Sequence, residues 1–444
     1  MKTLFALLQS QSARRLRGIA SAQLFNQLTT VVAQLALVPV LLHAWGKETY
    51  GIWLLLSALP TYLTFSDLGF TLVAKNEMLM QVAGGSREAA LRTFHSVFAL
   101  LNLIVPGLVV VSVLLILSVD LSALMKLGGY QVSDARLVIV LLLLNVLAYQ
   151  YFLLICGGVR CENRIAAEAT WGASSRLGEA AILASAALLG GNLIVAAAVT
   201  LGNRLLFCLA MYAWMRRKSP WLWLGHQKAD RVEVRRLLHP ALAFMLMPIS
   251  QALLIQGPIL IIGALINPVA VVTFATTRTL TRVGTAASSM LNGTLQGEYG
   301  HAFGRGDAAA LGRVFRFHQI CSLVLVPVYC LFMWVLREPM MRLYTHGQVG
   351  VVGTFYALML LTVSAEMLWA SVSNLLTSVN FHSAFAQIQL ATAVVGMGLC
   401  YAMTSAWQLN GAAAAMLAVH SFTLLVSHLL RHGVRLPQRD LAGA

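Results

Sequence analysis

The sequence predicts an all-α polytopic membrane protein, with about twelve transmembrane helices in two parallel six-helix bundles around a central cavity. Three observations predict it. The chain of 444 residues is 59% hydrophobic and only 11% charged, less than half the ~25% of soluble domains. Its apolar residues fall into blocks of about 20, long enough to cross a bilayer. The two halves of the chain also repeat one another.

The blocks run in order. "LFNQLTTVVAQLALVPVLL", "GIWLLLSALPTYLTFSDLGF", "SVFALLNLIVPGLVVVSVLL" and "RLVIVLLLLNVLAYQYFLLI" open the first half. "SSRLGEAAILASAALLG", interrupted by Arg176 and Glu179, and "LIVAAAVTLGNRLLFCLAMYAW" complete it. After a polar loop come "ALAFMLMPISQALLIQGPILIIGALI", "VAVVTFATTRTLTRVGTAASSML" and "QICSLVLVPVYCLFMWVL". "FYALMLLTVSAEMLWASVSNLL", "QIQLATAVVGMGLCYAMTSAW" and "AAAAMLAVHSFTLLVSHLL" close the chain. Prolines Pro39, Pro60, Pro106, Pro248, Pro258 and Pro327 fall inside blocks, where each removes a backbone hydrogen bond. They serve equally as hinges or as fixed curves around a cavity.

The net charge is +15, from 31 Lys and Arg against 16 Asp and Glu. In a soluble protein that balance suggests nucleic acid. Here the basic residues sit in short loops, and topology accounts for them. With the N-terminus inside, one set of loops carries 22 basic residues and the opposite set five, Lys47, Lys126, Arg136, Arg337 and Arg342. That bias places both termini in the cytoplasm. No nucleic-acid partner is expected. The start "MKTLFALLQSQSARRLRG" has a short apolar run with its arginines behind it, unlike a signal peptide, and reads as an interfacial helix. The six cysteines lack metal or redox spacing and read as small apolar fillers.

"RRKSPWLWLGHQKADRVEVRR" is the longest basic loop. It divides the chain into a first bundle (1–215), a cytoplasmic linker (216–236) and a second bundle (237–444). A shift of 221 (298 − 77) carries Glu77 onto Glu298, Gly85 onto Gly306, Ser86 onto Asp307, Arg92 onto Arg313, Phe94 onto Phe315 and Pro106 onto Pro327. Ser86 and Asp307 both suit a helix N-cap. Six spans per half orient both halves alike, as parallel repeats about an axis along the membrane normal.

No catalytic constellation appears. GxxxxGK[ST], GxSxG and HExxH are all missing, so ATP hydrolysis, an esterase elbow and a zincin site are excluded from the reading. His428 and His432, four apart on a helix, read as interfacial rather than metal-binding, and no cofactor is expected. "NGT" at 292–294 falls at an expected cytoplasmic helix end, where a glycosylation sequon says nothing.

Charges inside the spans say more, because ionisable groups at bilayer depth face a cavity or a partner. Arg278 lies roughly 15 Å into its span at 1.5 Å per residue, and Arg282 one turn further on the same face. Arg176 and Arg204 are also deep, with Glu179 three residues after Arg176 and Glu366 in the second half. Two pairings are open, Arg176 with Glu179 within one helix and Glu366 with any one arginine. They leave two positive charges over. Arg278, Arg282 and Arg204, with Arg176, are therefore expected to line a hydrated, anion-attracting cavity, since the guanidinium fork suits phosphate oxygens. The neighbouring Thr276, Thr277, Thr279, Thr281, Ser288 and Ser289 fit a wet wall, or close helix packing. Glu179 and Glu366 are candidates for proton coupling. Asp67, about 26 Å along its span from Tyr50, is expected near the cytoplasmic interface in a structural or gating role, with Lys75 as a charge partner.

Tyr50, Gly51, Trp53, Asp67, Leu68, Gly69, Asn76, Glu77, Gly84 and Gly85 make a pattern of YG-x-W, D-L-G, N-E and a glycine loop. The first quarter of the chain thereby resembles the bacterial polysaccharide flippases, translocases of O-antigen and capsule repeat units within the multidrug/oligosaccharidyl-lipid/polysaccharide exporter superfamily. "FTLVAK" stands where that family has small residues after D-L-G. The resemblance implies a flippase moving an undecaprenyl-diphosphate-linked oligosaccharide from the cytoplasmic to the periplasmic leaflet of the bacterial inner membrane, by alternating access, for surface polysaccharide and lipopolysaccharide biosynthesis. It implies membrane lipids and other glycan-assembly proteins as partners, and no enzymatic activity. A cation-coupled multidrug exporter of the same superfamily is the alternative. A carboxylate-rich cavity would favour it, and the excess here is positive. A glycan polymerase or ligase would need a large outer loop, which the spacing of the blocks does not leave.

Overall fold

The structure, a computed structural model, describes residues 11–121, 127, 130–162, 164–304, 307–378 and 383–431. The interfacial stretch expected at 1–10, Lys126, Arg305 with Gly306, and the tail with His432, Arg435 and Arg439 lie outside the described residues. The described chain is helical throughout and divides into two compact units, Met1–Met245 and Leu246–Ala444.

The first unit contains α1 (Gln11–Thr61), α2 (Phe70–Ala83), α3 (Arg87–Ser118), α4 (Val132–Cys161), α5 (Ile165–Leu188) and α6 (Leu193–Lys218). Helix α7 (Arg231–Leu265) contains the boundary. The second unit continues with α8 (Pro268–Thr281), α9 (Val283–Gly304), α10 (Ala308–Val335), α11 (Arg337–Thr345), α12 (Gly353–Ser378) and α13 (Ser383–Arg431). Helix α1 bends at Gly46, and α13 turns back at Trp407–Gln408, so each supplies two arms. The close turn in α13 depends on Gly411, where a Cβ would stand 1.9 Å from the Met403 carbonyl oxygen. With those arms counted, each half presents six membrane-length passes, the expected layout. Eight helices among the described residues are long and apolar enough to cross a membrane by length and composition.

Helix ends follow their sequence signals. Ser86 accepts from the Ala89 N–H at 3.3 Å, and Asp307 from the Ala310 N–H at 2.8 Å. These are the two N-caps expected from the repeat. Pro106 and Pro327 lie inside α3 and α10, as the same register requires. Asn192 and Asn267 cap α6 and α8 in the same way, the latter ahead of Pro268 at the first helical position.

The second span of each half is not one continuous helix. In the first unit α1 stops at Thr61, a three-ten turn covers Tyr62–Phe65, and Leu68 and Gly69 adopt left-handed φ of 51° and 78° before α2 begins. In the second unit the break falls at Arg282, between α8 and α9. A shift of 221 (282 − 61) relates the two positions. Backbone groups freed at a break inside a membrane need partners. Gln150 of α4 supplies one by donating to the Thr64 carbonyl at 2.6 Å. Tyr329 of α10 does the same in the second unit, donating its hydroxyl to the Thr281 carbonyl.

Asp67 takes its place in this break. It is 4% exposed, and its carboxylate accepts from the Gly69 N–H at 3.1 Å, the Thr71 N–H at 2.9 Å and the Thr71 hydroxyl at 2.5 Å. It therefore caps the start of α2. Lys75, expected as its charge partner, pairs with Glu168 instead. Asp67→Ala should destabilise the protein by about 1 kcal/mol or more, the usual size of a lost cap. Asp67→Asn, which keeps an acceptor, should cost less. Thermal melting in detergent measures both.

Helix α2 is central to the first unit. Phe70, Val73, Ala74 and Met78 pack with Phe94, Phe152, Ile155, Met211, Leu237 and Ala241 in one apolar core. The basic loop, expected as a linker at 216–236, is part of that unit. Leu222 is fully buried, Trp223 accepts from His95 at 3.0 Å through its carbonyl, and Trp221 donates to Glu162 at 2.6 Å. Arg236 on the first turns of α7 bonds Glu77 at 2.6 Å and Glu233 at 2.8 Å. Those two carboxylates, Glu233 foremost, raise the guanidinium further above its ordinary pKa. In this way the N-E motif fastens α7 to the first unit.

Candidate functional site

The first unit contains an open-mouthed cavity of about 630 Å³ between α1, α2, α4, α5 and α6. One face of α5 forms a wall, with Glu168, Gly172, Arg176, Glu179 and Leu183 at helical spacing. Helix α6 contributes Arg204, α4 contributes Tyr149, Phe152 and Arg160, α2 contributes Lys75, and α1 contributes Asn26. Four cations thus face two carboxylates.

Each carboxylate is engaged. Glu179 accepts from Arg204 at 2.6 Å, across helices. Glu168 is shared by Lys75 and by Arg160, the latter at 3.2 Å. Arg176 donates to the Asn26 side-chain oxygen. The pairing expected within α5, Arg176 with Glu179, is replaced by the interhelical one, because Arg204 reaches Glu179 from α6. Arg204 is 7% exposed; it also donates to Ser175 at 3.0 Å and lies 4.6 Å from the Tyr149 ring centroid. That face-on contact offsets part of its desolvation. The Nε–H groups of Arg160, Arg176 and Arg204 are buried without a hydrogen-bond partner. With two positive charges uncompensated, the cavity suits a ligand with several anionic oxygens.

The other expected binding residues belong to the second unit. Arg282, at the break between α8 and α9, grips Glu366 of α12 with two bonds, 2.7 and 2.9 Å. This is the pairing of Glu366 with one arginine that the sequence allowed. Arg278 donates to the Ile255 carbonyl and lies 5.3 Å from the Phe274 ring centroid. The structure therefore sorts the expected residues into two groups. Arg176, Arg204 and Glu179 come together in the first unit's cavity, whereas in the second unit Arg282 pairs with Glu366 and Arg278 is held by Ile255 and Phe274. Asp67 is occupied as a cap. Of the threonines, Thr276, Thr277 and Thr281 are buried, and Thr276, Thr279 and Thr281 return their hydroxyls to their own helix. They pack rather than form a wet wall.

Sequence reasoning missed Lys75, Arg160, Glu168 and Asn26 as cavity residues. Arg160 counts as a loop charge by position, yet it is the last-turn residue of α4 and turns inward. Spacing in α5 held the available signal, since Glu168 stands eight residues before Arg176 on the same face. Among the described residues no cluster of three or more His, Cys, Asp or Glu side chains has metal-binding geometry.

No family model matches the chain, and no curated protein sequence matches it. Solved structures do. The chain is similar to an inward-facing multidrug resistance MATE family transporter of the MOP superfamily, with TM-score 0.71 and 14% identity over 93% of this chain and 94% of that one. It is similar to an outward-facing transporter of the same description, with TM-score 0.63 and 12% identity over 96% of each chain. A third is a MOP superfamily transporter from Pyrococcus furiosus, described as having a binding pocket of reverse polarity that suggests a different function. Its TM-score is 0.53 at 13% identity, over 94% of this chain and 93% of that one. At 12–14% identity the likeness is one of fold, an all-helical, multi-pass arrangement in two bundles.

Proposed function

We propose that this chain is an alternating-access exporter of amphipathic compounds that carry negative charge. The observation that carries the reading is the first unit's cavity, with Lys75, Arg160, Arg176 and Arg204 against Glu168 and Glu179. Likeness to MATE transporters in both inward- and outward-facing states supports alternating access. It also puts a multidrug-type exporter ahead of the flippase that the motifs resemble. Cargo selection by charge follows from the cavity, because a cationic compound would meet two uncompensated positive charges in a low-dielectric site.

A second reading has its own support. A flippase for an undecaprenyl-diphosphate-linked oligosaccharide in the inner membrane would place the diphosphate beside the same cavity cations, with glycan-assembly proteins as partners. For coupling, Glu179 is the better placed carboxylate, since it lines the cavity while both oxygens of Glu366 are held by Arg282.

Reconstituted vesicles test both readings. The expected result is uptake of anionic amphipathic dyes that falls at least tenfold in Arg160→Gln/Arg176→Gln, with the protein still eluting as a folded species. Transport of cationic dyes unaffected by the double substitution, with none of anionic dyes, would sink the charge assignment. Translocation of a lipid-linked diphosphate sugar without dye transport would select the flippase.

A further inference from the structure

Helix α5 has a second face. Arg164, at its N-terminal boundary, is followed at 3, 7 and 10 residues by Ala167, Trp171 and Ser174 on one side of the helix. Ala167, Trp171 and Ser174, with Thr170 and with Trp214 of α6, line a groove of about 370 Å³. The Trp171 and Trp214 rings meet edge-on at 6.2 Å and together form one side of it. The face is distinct from the one that lines the cavity. It has small residues at its floor and rings along one side, a shape that admits a hydrocarbon chain.

One end of the groove is cationic. The Arg164 guanidinium stands 5.6 Å over the Trp214 ring and donates to the Lys218 carbonyl at 3.4 Å. Arg217 and Lys218 follow Trp214 by three and four residues on α6, and both are exposed. Among the described residues no carboxylate forms an ion pair with Arg164, Arg217 or Lys218, whereas nearby Glu162 and Glu168 are taken by Arg87, Lys75 and Arg160. All three cations belong to the loop set that the charge bias places on the cytoplasmic side. A tryptophan pair topped by unpaired cations matches the depth profile of a phospholipid, with its phosphate at the interface and its chain below.

We propose that this groove binds an anionic phospholipid of the cytoplasmic leaflet, with its phosphate on Arg164 and Lys218, assisted by Arg217, and an acyl chain laid along the Trp171–Trp214 pair. The site is separate from the cavity. Because α5 also holds Arg176 and Glu179 on its opposite face, a lipid seated here braces the wall on which the cavity charges stand.

The test uses the full chain in vesicles of phosphatidylcholine with a minor fraction of brominated phosphatidylglycerol or brominated phosphatidylcholine, bromine being a quencher of tryptophan fluorescence. The expected result is stronger quenching by the brominated phosphatidylglycerol. The part of that preference due to Trp171 and Trp214 should disappear in Trp171→Phe/Trp214→Phe. Arg164→Gln/Lys218→Gln should weaken the preference by about fivefold for each cation removed. Ala167→Leu, which fills the groove and leaves the cations, should abolish the preferential quenching of the two rings by the anionic lipid even where the double substitution fails to fold. Equal quenching by the two lipids in the unaltered protein would overturn the proposal, as would a preference that survives loss of Arg164 and Lys218.

Discussion

Arg204→Ala is expected to destabilise the first unit by about 3 kcal/mol, the scale of removing one partner from a buried ion pair. The guanidinium is 7% exposed and satisfies Glu179, Ser175 and the face of Tyr149 at once. Without it, Glu179 is left in the cavity wall with only Arg176 in its neighbourhood, and the Ser175 hydroxyl loses its donor. The second partner decides the interpretation. Arg204→Met/Glu179→Met removes both charges and fills similar volume, so it should recover most of the loss. Melting of the two single variants and the double variant in detergent gives the coupling. Additive losses would show that the pair contributes no net interaction.

Gly69→Ala is expected to cost about 3 kcal/mol, or to prevent folding, for two separable reasons. The residue has φ of 78°, and a left-handed backbone costs an L-residue roughly 1–2 kcal/mol. A Cβ there would also stand 2.6 Å from the Ala241 carbonyl oxygen and 2.8 Å from the Met245 side chain. Backbone cannot yield as a side-chain tip can, and overpacking adds about 1–3 kcal/mol. Gly85→Ala separates the terms. Its φ is 84° with nothing within 4 Å of the added carbon, so it should show the backbone cost alone. Similar melting of the two variants would mean that the approach of α7 to Gly69 is not a fixed contact.

That contact changes the meaning of the D-L-G motif. In sequence, Asp67 and Gly69 read as a carboxylate and a flexible point near the cytoplasmic end of one span. In the structure they build the break between α1 and α2, and Gly69 lies against Ala241 and Met245 of α7. Glycine follows from the contact and from φ together, and neither can be read from a hydropathy profile.

The cavity was half legible. Arg176, Arg204 and Glu179 stood out because charge at bilayer depth is costly, and depth is arithmetic on sequence position. Arg160 and Lys75 did not, since a residue near a span's end can turn inward or outward at equal cost until its neighbours are placed. Arg278 and Arg282 carried the same depth signal as Arg204, yet one is bonded to a carbonyl and the other gripped by Glu366. Depth shows that a charge needs a partner. It does not show which one it has.

Membrane residence, the number of passes and the repeat of the two halves were settled by composition, because block length and charge scarcity act along the chain and need no fold to be counted. The capping residues Ser86 and Asp307 belong to the same class, since a cap bonds three residues ahead. Which helix breaks, which carboxylate meets which arginine, and which face of α5 looks into the cavity were decided only by the packed helices. Those choices depend on distances between residues 25 to 150 positions apart, and no local pattern constrains such distances.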